Sequence, residues 1–402
     1  MYNIKLYNYM PEPKPATTDR IIAAHYYAAW KKGSAGIHNG FDDLHDYPER
    51  TPLMGYYDEE DPTTCDWEIK WATEHGINCF IHCWYRKPEN MGKPVTVNDL
   101  RCGHGLHEAL FNAKYQKHMK FAIMFENMPR WGTTDGVDIV ENLMPFWMEN
   151  YFKRDNYLVL DNKPVLFIYH QKRLSEIFKD PIEQKKAFDN CRDYAREQGF
   201  DGMIFAVCDA SVSKERLDDA LARGYDFRFG YTCGYTPTED YPPEEDIVNA
   251  QCELLEERLA VDPLHQIATA TCFRDSTPRT TQHWIDMGYT FHLSKKFHLS
   301  PENFRKVLHR MKKVTDSLPD GAWGKRIFMI DNWNEWDEGH YVAPSHEFGF
   351  KYLQAIREEF TLRDNLPDYR TPQDLGLVNY NKSWEIPDFS EMCEERLRGK
   401  AE

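Results

Sequence analysis

The chain has 402 residues, a net charge of −16 and 41% apolar residues. That excess of acidic groups repels phosphate backbones and excludes nucleic acid as a partner, and no run of about 18 apolar residues is present to span a membrane. The length exceeds a bare barrel of roughly 250 residues but suits one with long loops, and no Gly/Ser-rich linker, low-complexity tract or fixed repeat divides it.

The opening MYNIKLYNYMPEPKP lacks the apolar core of a signal peptide. As written, the chain is therefore expected in the cytoplasm, or in the periplasm or outside the cell if a signal has been removed. Short, nearly continuous apolar runs then follow in order: Ile21–Trp30, Ile77–Tyr85, Phe121–Asn127, Pro164–His170, Gly202–Cys208, Tyr225–Thr232, Ile267–Phe273 and Arg326–Trp333. Continuous rather than alternating apolarity predicts strands buried on both faces, as in a parallel sheet.

Helical patterns fall between these runs. Asp61-Pro62 reads as the start of a helix before the second strand, and Leu106, Leu110 and Ala113 share one face before the third. Residues 243–260 have a helical composition, and Ser300-Pro301 opens an amphipathic helix through Phe304, Val307, Leu308, Met311 and Val314. Strand and helix alternating eight times predicts an α/β fold, the (β/α)₈ TIM barrel, with long loops after strands one, seven and eight. The expected organisation is one catalytic domain over 1–402, with the barrel at about 20–360 and an irregular extension, 361–402, wrapping it. The ten cysteines form no CxxC pair and no metal spacing. Cys79, Cys83, Cys208 and Cys272 lie inside apolar runs and are expected to be unpaired and largely buried.

Active sites of such barrels sit at the C-terminal ends of the strands, and here those ends are polar and aromatic. In chain order they offer Tyr27, Trp30, His82, Trp84, Tyr85, Glu126, Asn127, Tyr169, Arg274, Trp333, Asn334 and His340 as candidate substrate-binding residues, with Glu335 and Glu338 as candidate catalytic carboxylates. Glycosidic cleavage needs one carboxyl to protonate the leaving oxygen and a second as base or nucleophile. Aromatic faces hold the apolar C–H face of a sugar ring. A glycan is thus the expected partner, with no metal and no cofactor, and Glu126, Tyr169 and Glu335 are expected to open into one pocket. The oligomeric state is not legible.

The segment RIFMIDNWNEWDEGHYVAPSHEFGFKYLQAI, with its W-N-E-W-x-E-G core, resembles the signature of WbsX-type proteins and their relatives in the endo-α-mannosidase family, glycoside hydrolase family 99. Looser similarity in HYYAAW, GYYDEEDP, HGINCFIHCWY, MKFAIMFEN and DNKPVLFIYH runs in order over about residues 20–360. The resemblance implies a (β/α)₈ fold, metal-free action on α-linked glycans, and Glu335 and Glu338 as catalytic residues. It further implies that Glu335 deprotonates the sugar's 2-hydroxyl while Glu338 serves as acid and then base, with retention of configuration. The G-F-T-E-W stretch usual in WbsX-type proteins is absent, and Ala343 precedes Pro344 where they tend to have Glu; mannose specificity does not carry over. The expectation is a glycoside hydrolase. The alternatives are a glycosyltransferase or transglycosylase of polysaccharide biosynthesis using the same site, and a non-catalytic carbohydrate-binding barrel.

Overall fold

The computed structural model describes residues 9–31, 40–128, 132–286 and 288–377. Each apolar run of the sequence supplies one strand: β1 (Ile21–Tyr26), β2 (Cys79–Arg86), β3 (Lys120–Phe125), β4 (Lys163–Ile168), β5 (Ile204–Cys208), β6 (Phe227–Phe229), β7 (Ala268–Thr271) and β8 (Ile327–Asp331). Neighbours pair in parallel in that order, and β1 also pairs with β8, from Ile21↔Ile327 to Ala24↔Ile330. Between β6 and β7 the link is a single parallel bridge, Arg228↔Gln266, with Arg228 N donating to His265 O and Ile267 N to Arg228 O. The architecture is the (β/α)₈ barrel.

Most strands are shorter than their apolar runs because the last residues of each run leave the ladder and turn towards the C-terminal face. Ile21–Trp30, for example, ends as a strand at Tyr26. Helices cover the barrel: α1 (Pro62–Glu74), α2 (Pro181–Glu197), α3 (Lys214–Ala222), α4 (Glu244–Val261), α5 (Pro301–Asp316) and α6 (Lys351–Phe360). Asp61 caps α1 by accepting from Thr63 N, and Ser300 caps α5 by accepting from Asn303 N. Each satisfies an amide that the first helical turn cannot. Phe304, Val307, Leu308 and Met311 of α5 are buried, as their spacing requires. Leu106, Leu110 and Ala113 are buried too, on a short π-type turn followed by a 3₁₀ turn rather than on a regular helix.

After α6 the chain returns to the N-terminal segment, where Leu362 N donates to Thr17 O and Asn365 Nδ2 to Lys14 O. The rest of the expected extension, 378–402, lies outside the described residues. Cys79 and Cys272 are fully buried, whereas Cys83 and Cys208 are only partly covered; the nine described cysteines are all free, and Cys393 lies outside the description. Among the described residues no helix is long and apolar enough to cross a membrane.

Candidate active site

A cavity of about 290 Å³ opens at the C-terminal ends of the strands, at the small end of the range for ligand sites. Tyr27, Tyr85, Glu126, Tyr169, Arg274, Glu335 and Glu338, all named from the sequence, line it together. The walls also include Met128, His170, Tyr231, Asn332 and a group from the loop after β7: Arg279, Trp284, Tyr289 and Phe291.

Seven sequence candidates face elsewhere, and strand geometry explains most of them. Successive side chains point to opposite faces. On β2, Cys83 and Tyr85 reach the cavity, so His82 and Trp84 cannot. His82 packs on the Tyr26 ring at 4.4 Å, and Trp84 Nε1 donates to Tyr151 Oη at 3.0 Å. At the end of β3 and beyond it, Met124, Glu126 and Met128 share the inward side, while Asn127 clasps the end of β4 by bonding the backbone O and N of His170, each at 2.8 Å. Trp30 is buried against Phe41 at 4.8 Å, and its backbone N donates to Glu59. Trp333 Nε1 donates to Glu68 on α1 at 3.0 Å. Asn334 bonds both backbone groups of Tyr27 and donates to Glu59 at 2.7 Å, so it holds Tyr27 rather than a ligand. His340 is fully buried; its Nε2 lies 3.3 Å from Asp331 Oδ2 and its Nδ1 accepts from Asn332 Nδ2 at 3.0 Å.

Glu335 and Glu338 leave β8 on a tight turn. Trp336–Glu338 form a single 3₁₀ turn, closed by Gly339 at φ +53°. A Cβ there would stand 2.8 Å from Asp275 O, so only glycine lets the turn lie against the β7 loop. Asp275 N donates to Glu338 O, and Arg50 Nη1 donates to Asp275 O, both at 2.8 Å.

Arg279 is the hub of the site. Its Nη1 donates to Glu338 Oε1 at 2.5 Å, and its Nη2 to Glu335 Oε1 at 2.6 Å and to Asp337 Oδ1 at 2.7 Å. The guanidinium carbon also lies 4.9 Å from the Trp284 ring. Sequence reasoning passed over Arg279 because it sits in a loop without periodicity. The available signal was an arginine close before a tryptophan, TPRTTQHW, just after a barrel strand. Tyr231 was missed for a similar reason. It leaves β6 just before Thr232 and Cys233, whose left-handed φ of 51° and 47° bend the chain. Tyr231 Oη donates to Glu338 Oε2 at 2.9 Å and accepts from Asn332 Nδ2 at 3.1 Å.

These contacts set the charges. Burial raises Glu335 well above the usual carboxylate range, and Arg279 offsets this only in part. Burial acts on Glu338 as well, but Arg279, Arg274, His340 and the Tyr231 hydroxyl outweigh it and hold it below that range. These opposite directions place the pair's proton on Glu335. Burial, reinforced by the charge of Glu338, pushes Glu126 up to about 8, so it is mostly protonated at neutral pH. Beneath the site Asp331 is buried, yet His340 and His25 keep it ionised; His25 Nδ1 lies 2.8 Å from its Oδ1. Among the described residues no group of three or more His, Cys, Asp or Glu is placed to hold a metal ion.

The site thus brings an acid and a carboxylate together in an aromatic-walled cavity on a (β/α)₈ barrel. The family profile described as Glycosyltransferase WbsX matches residues 138–356, and the chain belongs to that family. Two curated relatives, both "Uncharacterized protein WxcX" of Xanthomonas campestris pv. campestris, are 23% (strain ATCC 33913) and 22% (strain B100) identical over 385 residues. The match takes in 90% of this chain and 52% of each relative; the chain spans about half the length of the curated relatives it matches. Two solved structures of the GH99 endo-alpha-mannosidase from Bacteroides thetaiotaomicron, the first in complex with BIS-TRIS-Propane, share its fold. They align at TM-scores of 0.55 and 0.52 with 14% and 15% identity. The alignments cover 85% of this chain and 95% and 97% of theirs.

Proposed function

We propose that the protein hydrolyses an α-linked glycan with retention of configuration, using Glu335 and Glu338 and the sugar's own 2-hydroxyl. One observation carries this reading: two glutamates of one short turn open into the same aromatic-walled cavity and share one arginine. Carboxyls that flank the bond from opposite sides suit a nucleophile and an acid. Carboxyls on one turn lie beside the same sugar, where one reaches the 2-hydroxyl and the other the leaving oxygen. Glu335 takes the 2-hydroxyl proton as the 2-oxygen attacks the anomeric carbon, and Glu338 gives its proton to the departing oxygen. Water, deprotonated by Glu338, then opens the three-membered ring at the anomeric carbon, and Glu335 returns its proton to the 2-oxygen. Two inversions give retention.

These roles need the proton on Glu338, whereas burial and the neighbouring cations favour it on Glu335. Because one guanidinium bonds both groups, their titration belongs to the pair, and the proposed steps require the proton to pass from Glu335 to Glu338 before the bond is cleaved. Glu126 and Tyr169 hold hydroxyls, and Trp284, Tyr289 and Phe291 face the sugar ring. Likeness of fold to an endo-alpha-mannosidase supports the α-linkage. The family's description supports a second reading, transfer to an acceptor hydroxyl in place of water at the same site.

The test is a panel of α-linked glycans assayed for new reducing ends and, by mass spectrometry, for transfer products. Hydrolysis is expected; products of transfer alone favour the second reading, and neither product means a binding barrel. An analogue lacking the 2-hydroxyl should bind and resist cleavage; its normal hydrolysis would overturn participation of that group. A substrate with a good leaving group should rescue Glu338→Gln and not Glu335→Gln. The reverse pattern exchanges the two roles and leaves the function standing.

A further inference from the structure

The cavity holds two arginines in different states. Arg279 spends both terminal nitrogens on three carboxylates. The Arg274 side chain makes no hydrogen bond to any described residue. Its nearest carboxylate oxygen, Glu338 Oε2, is 3.8 Å from Nη2 and already accepts from Tyr231. Its Nε is buried without a partner, and its guanidinium carbon stands 5.8 Å from the Tyr231 ring centroid. The side chain is 23% exposed, and what is exposed faces the cavity. A guanidinium offers five N–H donors in a rigid fork that matches a carboxylate two bonds at a time. Withdrawing such a group from water without acceptors is unfavourable, and this one is aimed where the ligand goes.

The other acids of the cavity do not oppose an incoming anion strongly. Burial keeps Glu126 and Glu335 mainly protonated at neutral pH, and the charges of Glu338 and Asp337 are balanced by Arg279 and Arg274 together. Arg274 is the cation of the site whose donors no hydrogen bond among the described residues occupies.

Building on the proposed function, we propose that the glycan bound here is acidic: the sugar in the cavity carries a carboxylate, as a uronic acid does, and Arg274 binds it through its fork. A carboxylate is favoured over a phosphate because the ionised Glu338 already lies 3.8 Å from Arg274 and repels a dianion more than a monoanion.

The test is calorimetric binding to the full chain. The probes are short α-linked glucuronate, galacturonate and mannuronate oligosaccharides, the same compounds with their carboxyls reduced to hydroxymethyl groups, and matching sugar 6-phosphates. At least one acidic probe should bind about ten- to a hundred-fold more tightly than its reduced counterpart, the scale of a charge-assisted pair, with affinity falling as salt is added. Arg274→Gln should remove that difference, and Arg274→Lys should restore only part of it; melting curves of both variants establish that they are folded. If no acidic probe outbinds its reduced form in the wild-type protein, the inference is overturned, whether or not neutral glycans are cleaved. Tighter binding of a 6-phosphate than of the uronate overturns the carboxylate assignment. Acidic probes that bind through Arg274 while no glycan is cleaved or transferred overturn the proposed function and leave the binding assignment in place.

Discussion

Burial alone would protonate both Glu335 and Glu338; the cations around Glu338 break the tie, and that asymmetry can be measured. Crowded carboxylates taken by themselves suggest that neutralising either one leaves stability level or raises it. Arg279 changes that expectation. Glu335→Gln replaces a group that is already neutral, so its melting temperature should stay level or rise. Glu338→Gln takes a charged partner from the buried Arg279 and from the half-buried Arg274 beside it, and should lose about 3 kcal/mol, the lower end for breaking a buried pair. Equal melting temperatures for the two variants would show that both groups carry the same charge. Glu126 gives a second test. Its folded pKa of about 8 stands above the ordinary 4.5, so its protonated form stabilises fully below the lower value, and that contribution is lost as pH rises through the higher one. Glu126→Gln stays neutral throughout. The melting temperature of the variant minus that of the wild type should therefore climb between about pH 5 and about pH 9; a flat difference would mean that Glu126 is ionised at neutral pH.

At the scale of the element, the turn after β8 is pinned from two sides by backbone contacts around Gly339. Gly339→Ala places a left-handed alanine 2.8 Å from Asp275 O. It should cost at least the 1–3 kcal/mol or so of a strained backbone position and lower turnover by displacing Glu338. Unchanged stability together with unchanged turnover would show that the β7 loop yields easily. The elements were legible because continuous apolarity and helix caps are local signals. The site was legible only where side-chain parity was: Tyr85 and Glu126 reach the cavity while His82, Trp84 and Asn127, one residue away, are turned out by the pleat. Once Glu126 is taken as inward, alternation alone excludes Asn127. The β7 loop escaped because Arg279, Trp284, Tyr289 and Phe291 converge through an irregular path that no period describes, and Asn334 and His340 escaped correction because their partners, Glu59 and Asp331, are distant in sequence.

In the molecule as a whole, the strands are not equally tied to their neighbours. β2 and β3 pair from Cys79↔Lys120 to Trp84↔Phe125, whereas β6 contributes three residues and, among the described residues, its backbone pairing towards β7 is the single bridge Arg228↔Gln266, helped by Gly230 N donating to the Thr269 side chain. A barrel so joined has a seam, and a seam is where a closed sheet breathes. The amides of Arg228 and Ile267 should exchange with deuterium faster than those of Ile81 and Ile123, because opening at one bridge exposes them without unfolding the rest. The seam also runs through the site, since Tyr231 follows the strand on one side of it and Arg274 the strand on the other. A ligand that bridges those two side chains would staple the gap, and slowed exchange at Arg228 and Ile267 would report its binding without any turnover; exchange at the seam as slow as at β2 and β3 would show that the barrel is sealed all round.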